Sequence, residues 1–157
     1  MVALKTRCSE TSGRCIGIAG EAAWLERDLR THHAGCTLAY MHNPLFSGGF
    51  GATPAVRPLW RVMQAHGVDL VLTGHAHNYQ RFVSRTWRGI PSGRGITEII
   101  AGTGGAGVHT LAATPHQAAR VNHLFGVVRL GLGRGYWTSR FVTPAGYVFD
   151  RSGGTCH

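Results

Sequence analysis

The sequence predicts an α/β fold, and three observations carry that prediction. Cys36 to Met41 and Asp69 to Thr73 are short apolar runs, and the amphipathic stretch Pro54 to Gly67 lies between them, giving the order strand, helix, strand. Both runs stop at a histidine: His42 follows the first, and His75 follows the second across Gly74. Late in the chain, Tyr136 to Val142 and Tyr147 to Asp150 alternate apolar and polar residues around Pro144-Ala145-Gly146, the pattern of an antiparallel hairpin.

Taken in order, Val2 to Leu4 has the character of a strand tail, and Ser9 to Gly20 is a polar, Gly-rich loop. Glu21 to His33 places Ala22, Leu25 and Leu29 at helical spacing, with Trp24 on or beside the buried face. Its acidic residues come early, and His32 and His33 close it, where they suit the helix dipole. After the Cys36 to Met41 strand comes a loop with Pro44, Gly48, Gly49 and Gly51. In the helix that follows, Val56, Leu59, Trp60 and Met63 are the core face, and His66-Gly67 stops it. A right-handed crossover makes the two flanking strands parallel, so His42 and His75 leave the sheet at the same end. Loops at the carboxyl ends of such strands are where ligands bind. His75 and His77 are two residues apart, and side chains at that spacing point the same way along an extended segment.

Val83 to Arg94 is an Arg- and Gly-containing loop, and Gly95 to Ala101 is a further strand. It runs into Gly102-Thr103-Gly104-Gly105-Ala106-Gly107, a match to the dinucleotide pattern G-x-G-x-x-G. That pattern needs a helix opening at the third glycine and an acidic residue about 20 positions on. Val108 to Pro115 is no helix, and the next strand, His123 to Leu130, ends without a carboxylate. The glycines are therefore expected to let a loop pass close to the histidine edge.

Composition narrows the classes. A chain of 157 residues suits one domain with its own core. No apolar run approaches the roughly 20 residues of a membrane span, and Met1 to Lys5 has no signal-peptide pattern, so the chain as written is soluble and untargeted. The net charge of +9 suits an anionic substrate, but the arginines are scattered singly and form no basic run, which argues against dedicated nucleic-acid binding. Cys8, Cys15, Cys36 and Cys156 have no Cys-x-x-Cys spacing. Disulfides of an exported protein or buried thiols fit them better than a zinc site with His157, and Cys8 and Cys15 flank a loop that a bridge could close.

Gly74-His75-Ala76-His77-Asn78-Tyr79 resembles the last metal-binding motif of the calcineurin-like metallophosphoesterases, in their purple acid phosphatase-like branch. Trp24 to Leu29 is similar to the helix before that family's histidine strand, and Ala39-Tyr40-Met41-His42-Asn43-Pro44 to the strand itself. Ile99 to Gly105 and Tyr147 to Asp150 fall where such proteins have their late strands. The resemblance implies the carboxyl-terminal half of a four-layer αββα sandwich with mixed sheets, incomplete in this chain. It places a metal-binding βαβ unit at about 36–82 and late antiparallel strands at about 96–152 of a single partial domain. It further implies a dinuclear centre of iron, zinc or manganese acting on a phosphate ester. His42 and His75 would hold one metal and His77 its neighbour, with Asn43 and Asn78 on the substrate, and the parent protein would be secreted.

The departures set the remaining expectations. The family's Gly-Asp and Gly-Asn-His motifs, which supply the bridging carboxylate and a substrate-facing histidine, are absent; Ala76 stands between the histidines and Asn43 follows His42. Two dications held by three neutral imidazoles repel each other, so a weak mononuclear site of His42 and His75 is the most this stretch offers. The sheet edge at Val2 to Leu4 is expected to be exposed and prone to association. The competing reading is a catalytically inactive fragment or binding module with a vestigial metal site.

Overall fold

The computed structural model describes residues 1–9 and 14–157, and the backbone alone of Arg7. Most of the loop between Cys8 and Cys15 therefore lies outside the described residues. The elements are β1 (Val2–Ala3), β2 (Arg7–Cys8), β3 (Cys15–Ile16), α1 (Ile18–Thr31), β4 (Leu38–Tyr40), a 3-10 turn (Pro54–Val56), α2 (Arg57–Ala65) and β5 (Leu70–Thr73). They continue with β6 (Tyr79–Phe82), β7 (Thr97–Ala101), β8 (Gln117–Val121), β9 (Val127–Gly133), β10 (Tyr136–Val142) and β11 (Val148–Thr155).

Six strands form a mixed sheet in the order β1-β4-β5-β7-β6-β8. The neighbours β1, β4, β5 and β7 run parallel, while β6 is antiparallel to both β7 and β8. Strands β11, β10 and β9 form a second, antiparallel sheet. The alternation of side chains along the parallel strands sorts them to two faces. Ala39 and Val71 meet Leu25, Leu29, Leu59, Trp60 and Met63 of the helices, whereas Leu38, Leu70, Tyr79 and Ile99 meet Trp137 and Phe141 of the second sheet. The molecule is thus built as helices, sheet, sheet. Among the described residues no helix covers the outer face of β9–β11, so three of the four layers of an αββα sandwich are present.

Several local expectations are corrected. Helix α1 begins at Ile18 and not at Glu21, because Gly17 turns the chain at φ 77 and buried Ile18 extends the stripe of Ala22, Leu25 and Leu29 one turn upstream. Trp24 lies off that stripe and is 42% exposed. The expected loop at Ser9 to Gly20 contains the short strand β3, which pairs antiparallel with β2 just before it. The strand expected at 123–130 starts later, as β9 at Val127, and a separate strand β8 precedes it, because Gln117–Val121 pairs with β6 although its sequence has little apolar alternation. Strand β6 itself was not anticipated as a strand. β7 sits inside the main sheet, parallel to β5, and not with the late antiparallel strands. β1 is the edge of the six-stranded sheet, as expected for Val2 to Leu4.

The cysteines form two disulfides, Cys8–Cys15 and Cys36–Cys156. The second ties the approach to β4 to the residue after β11, and so ties the two sheets together. Asp150 of β11 adds another tie: its carboxylate accepts from Tyr79 Oη at 2.6 Å, Arg81 Nε at 2.7 Å and Arg81 Nη2 at 3.0 Å, both partners lying on β6. Burial works to raise its pKa, but the hydrogen bonds from Arg81 and Tyr79 outweigh it and hold the carboxyl below its ordinary value.

Candidate functional site

Three parallel strands deliver loops to one edge of the main sheet. The loop after β4 carries His42 and Asn43, the loop after β5 carries His75, Ala76, His77 and Asn78, and the loop after β7 carries Gly102 to His109. Backbone hydrogen bonds hold them in place: Gly74 N–H donates to His42 O at 3.0 Å, Gly102 N–H to Asn78 O at 3.1 Å, and His109 N–H to His77 O at 3.1 Å. The closeness explains Gly102. A Cβ there would collide with the carbonyl oxygen of Ala76 and come within 2.7 Å of its carbon, so only glycine lets the loop pass behind the histidines. The G-x-G-x-x-G string opens no helix.

His42 and His75 come together, with ring centroids 5.1 Å apart and their planes at 68°. His75 holds its ring there from a left-handed backbone, φ 62, a conformation that a non-glycine residue adopts at some cost. His77 turns elsewhere: its ring stacks on His109 at 4.0 Å and 12°. Its Nδ1 lies 2.8 Å from Gly107 O and must be the donor, since a carbonyl only accepts; the neutral ring then carries its lone pair on Nε2. Backbone hydrogen bonding fixes a metal-ligating imidazole in this way. The His77 N–H donates to His109 Nδ1 at 3.1 Å, and Phe50 packs edge-on to His109 at 4.3 Å and lies 5.4 Å from His75. Sequence reasoning missed both His109 and Phe50. Neither lies at a strand end, and His109 reaches the site across 32 residues of chain separation.

Asn43 is 3% exposed, its N–H donates to Thr6 Oγ1 at 3.3 Å, and its Oδ1 has no protein partner. It borders a cavity of about 110 Å³ with Phe50, Thr53 and His75. Asn78 is fully buried, and its Oδ1 accepts from Gln80 Nε2 at 2.8 Å. Gln80 in turn accepts from Gly48 N–H at 2.7 Å and donates to Ser47 Oγ at 2.9 Å, so the Asn78-Gln80 pair pins the loop that follows His42.

The donor set present is imidazole. The described acidic residues are engaged away from these rings: Glu21 with Lys5 N–H, Glu26 with His66, Asp28 with His32, Asp69 with Thr37 and His157, Asp150 with Arg81. Glu98 lies under the loop that follows His42, accepting from Leu45 N–H at 3.1 Å and Phe46 N–H at 3.2 Å. Burial pushes its pKa up to about 8. Among the described residues, three ligand-type side chains converge within 4.8 Å at Cys36, Asp69 and Cys156, but those thiols are spent in a disulfide and offer no thiolate. Among the described residues, imidazoles and not carboxylates are therefore the donors this edge offers a metal ion.

No family model matches the sequence, and no curated protein matches it. Solved structures do. Purple acid phosphatase PPD1 from yellow lupin (Lupinus luteus) seeds superposes with a TM-score of 0.76 at 20% identity, covering 86% of this chain and 28% of that one. GAP50, described as the anchor in the inner membrane complex of Plasmodium, gives 0.69 at 16% identity over 88% of this chain and 43% of its own. PhoD gives 0.55 at 15% identity over 87% and 31%. The chain has the fold of the calcineurin-like metallophosphoesterases and spans less than half the length of each of these neighbours.

Proposed function

We propose that this chain carries the histidine side of a metal-dependent phosphoesterase site, acting on phosphate esters. The observation that carries the reading is the delivery of His42 and His75 from the carboxyl ends of adjacent parallel strands to a ring separation of 5.1 Å. His42 and His75 are the ligands of one metal, and His77, with its Nε2 lone pair set by Gly107 O, is the ligand of a neighbouring one. Iron, zinc or manganese suits such imidazoles. A metal held by these residues would supply a Lewis acid for a phosphoryl oxygen and for water.

The chain's own residues do the rest. Asn43, which borders the same cavity as His75, orients the ester, and Asn78 acts through Gln80 to hold the loop that presents Asn43. Phe50 excludes water from one flank of the His75 and His109 rings. Carboxylates that bridge a metal pair are supplied from outside the described residues, in an extracytoplasmic parent suited to the two disulfides.

A second reading is a binding module without catalysis. It is favoured by the imidazole-only donor set, and by GAP50, a neighbour of the same fold that is the anchor in the inner membrane complex of Plasmodium. Hydrolysis of an aryl phosphate by the purified chain, with zinc or manganese added, separates the two. The carboxylate deficit predicts no turnover by the 157 residues alone; turnover abolished by His75→Ala would show that they form a complete site.

A further inference from the structure

The arginines, scattered in sequence, are brought into line by the second sheet. Arg140 of β10 is directly opposite Arg129 of β9 on one side and Arg151 of β11 on the other. Directly paired residues share a face, and all three are exposed on the side away from the first sheet. Like charges directly opposite one another in a sheet are destabilising. No carboxylate within the described residues lies in ion-pair range of any of the three, because each described acid is engaged elsewhere: Asp150, their nearest neighbour in sequence, faces inward to Arg81.

Two residues along β10 the same face is empty of bulk. Thr138 is flanked by Gly131 on β9 and Gly153 on β11. Next comes Tyr136, whose ring lies over Gly133. The result is a notch of about 260 Å³ lined by Arg129, Leu130, Gly131, Thr138 and Arg140. Its walls carry two guanidiniums and a hydroxyl, its floor is glycine, and a third guanidinium stands at the next strand, about 10 Å across the row from the first.

We propose that this notch binds a diphosphate group. Guanidinium forks match phosphate oxygens two at a time, and a row of three on a rigid sheet engages two linked phosphates where a single phosphate would leave one arginine unused. Thr138 donates its hydroxyl to the same ligand. The site lies on the outer face of the second sheet, separate from the histidines, and does not depend on the function proposed for them.

Calorimetric titration of the whole chain with inorganic pyrophosphate, in EDTA to keep the histidines metal-free, tests it. The expected result is saturable binding, weakened at least tenfold by Arg140→Gln, partly restored by Arg140→Lys and unchanged in the His42→Ala, His75→Ala double variant. ADP titrated in parallel identifies the source. Equal affinity assigns the notch to the diphosphate alone, and tighter binding of ADP assigns it to a nucleotide. Binding that is indifferent to Arg140→Gln, that is lost in the histidine variant, or that is tighter for a DNA oligonucleotide and grows with its length would overturn the proposal. Arg140 is exposed, so circular dichroism of the variants should match the parent.

Discussion

Glu98 is fully buried under the loop that follows His42, and burial pushes its carboxyl up to about 8 although two backbone amides favour the ionised form. The unfolded carboxyl deprotonates near its ordinary value of 4.5, while the folded one keeps its proton to about 8. Between these values the folded state binds more protons, so stability falls as pH rises, by at most about 1.4 kcal/mol per pH unit. Denaturant unfolding from pH 5 to 8 should show that decline, and Glu98→Gln should remove it. Gly102 makes a prediction of a different kind. Gly102→Ala forces the loop off the Ala76 carbonyl and should cost about 1–3 kcal/mol in the same assay. His42 and His75 were legible in the sequence because each follows a strand of a parallel βαβ unit, and the glycine at 102 because it follows the apolar run of β7. His109 and the depth of Glu98 were not, since both depend on where a long loop returns.

Pairing between elements explains which strands could be read in advance. β4, β5, β7 and β10 are apolar in continuous or alternating runs, and each was expected close to where it lies. β6 and β8 are held by neighbours more than by pattern: Tyr79 and Arg81 of β6 are anchored by Asp150, and β8 completes the sheet beside them. Asp150→Ala leaves the Arg81 guanidinium and the buried Tyr79 hydroxyl without their acceptor, and should cost about 3 kcal/mol. Thermal melts of Asp150→Ala and Arg81→Ala alongside the double variant would give the coupling between β6 and β11, and additive losses would mean the sheets are not joined there. The arginine row was invisible for the same reason as β8. Positions 129, 140 and 151 become neighbours through strand register, which composition does not report.

On the scale of the whole molecule, helices, six-stranded sheet and second sheet are stapled by Cys36–Cys156 across 120 residues. A loop of that length contributes about 4–5 kcal/mol in the chain-entropy account, a large share of a domain's stability. Reduction, or Cys36→Ser with Cys156→Ser, should therefore lower the denaturation midpoint far more than removal of Cys8–Cys15, which closes a separation of 7. The fold presents three histidine-bearing loops at one edge and supplies no described carboxylate to bridge metals there, and the metal stoichiometry follows from that combination. Zinc titration of the purified chain with elemental analysis tests it most directly. At most one ion per chain is expected, bound weakly and lost in both His42→Ala and His75→Ala. Two tightly held ions per chain, or an ion retained when both histidines are replaced, would contradict it.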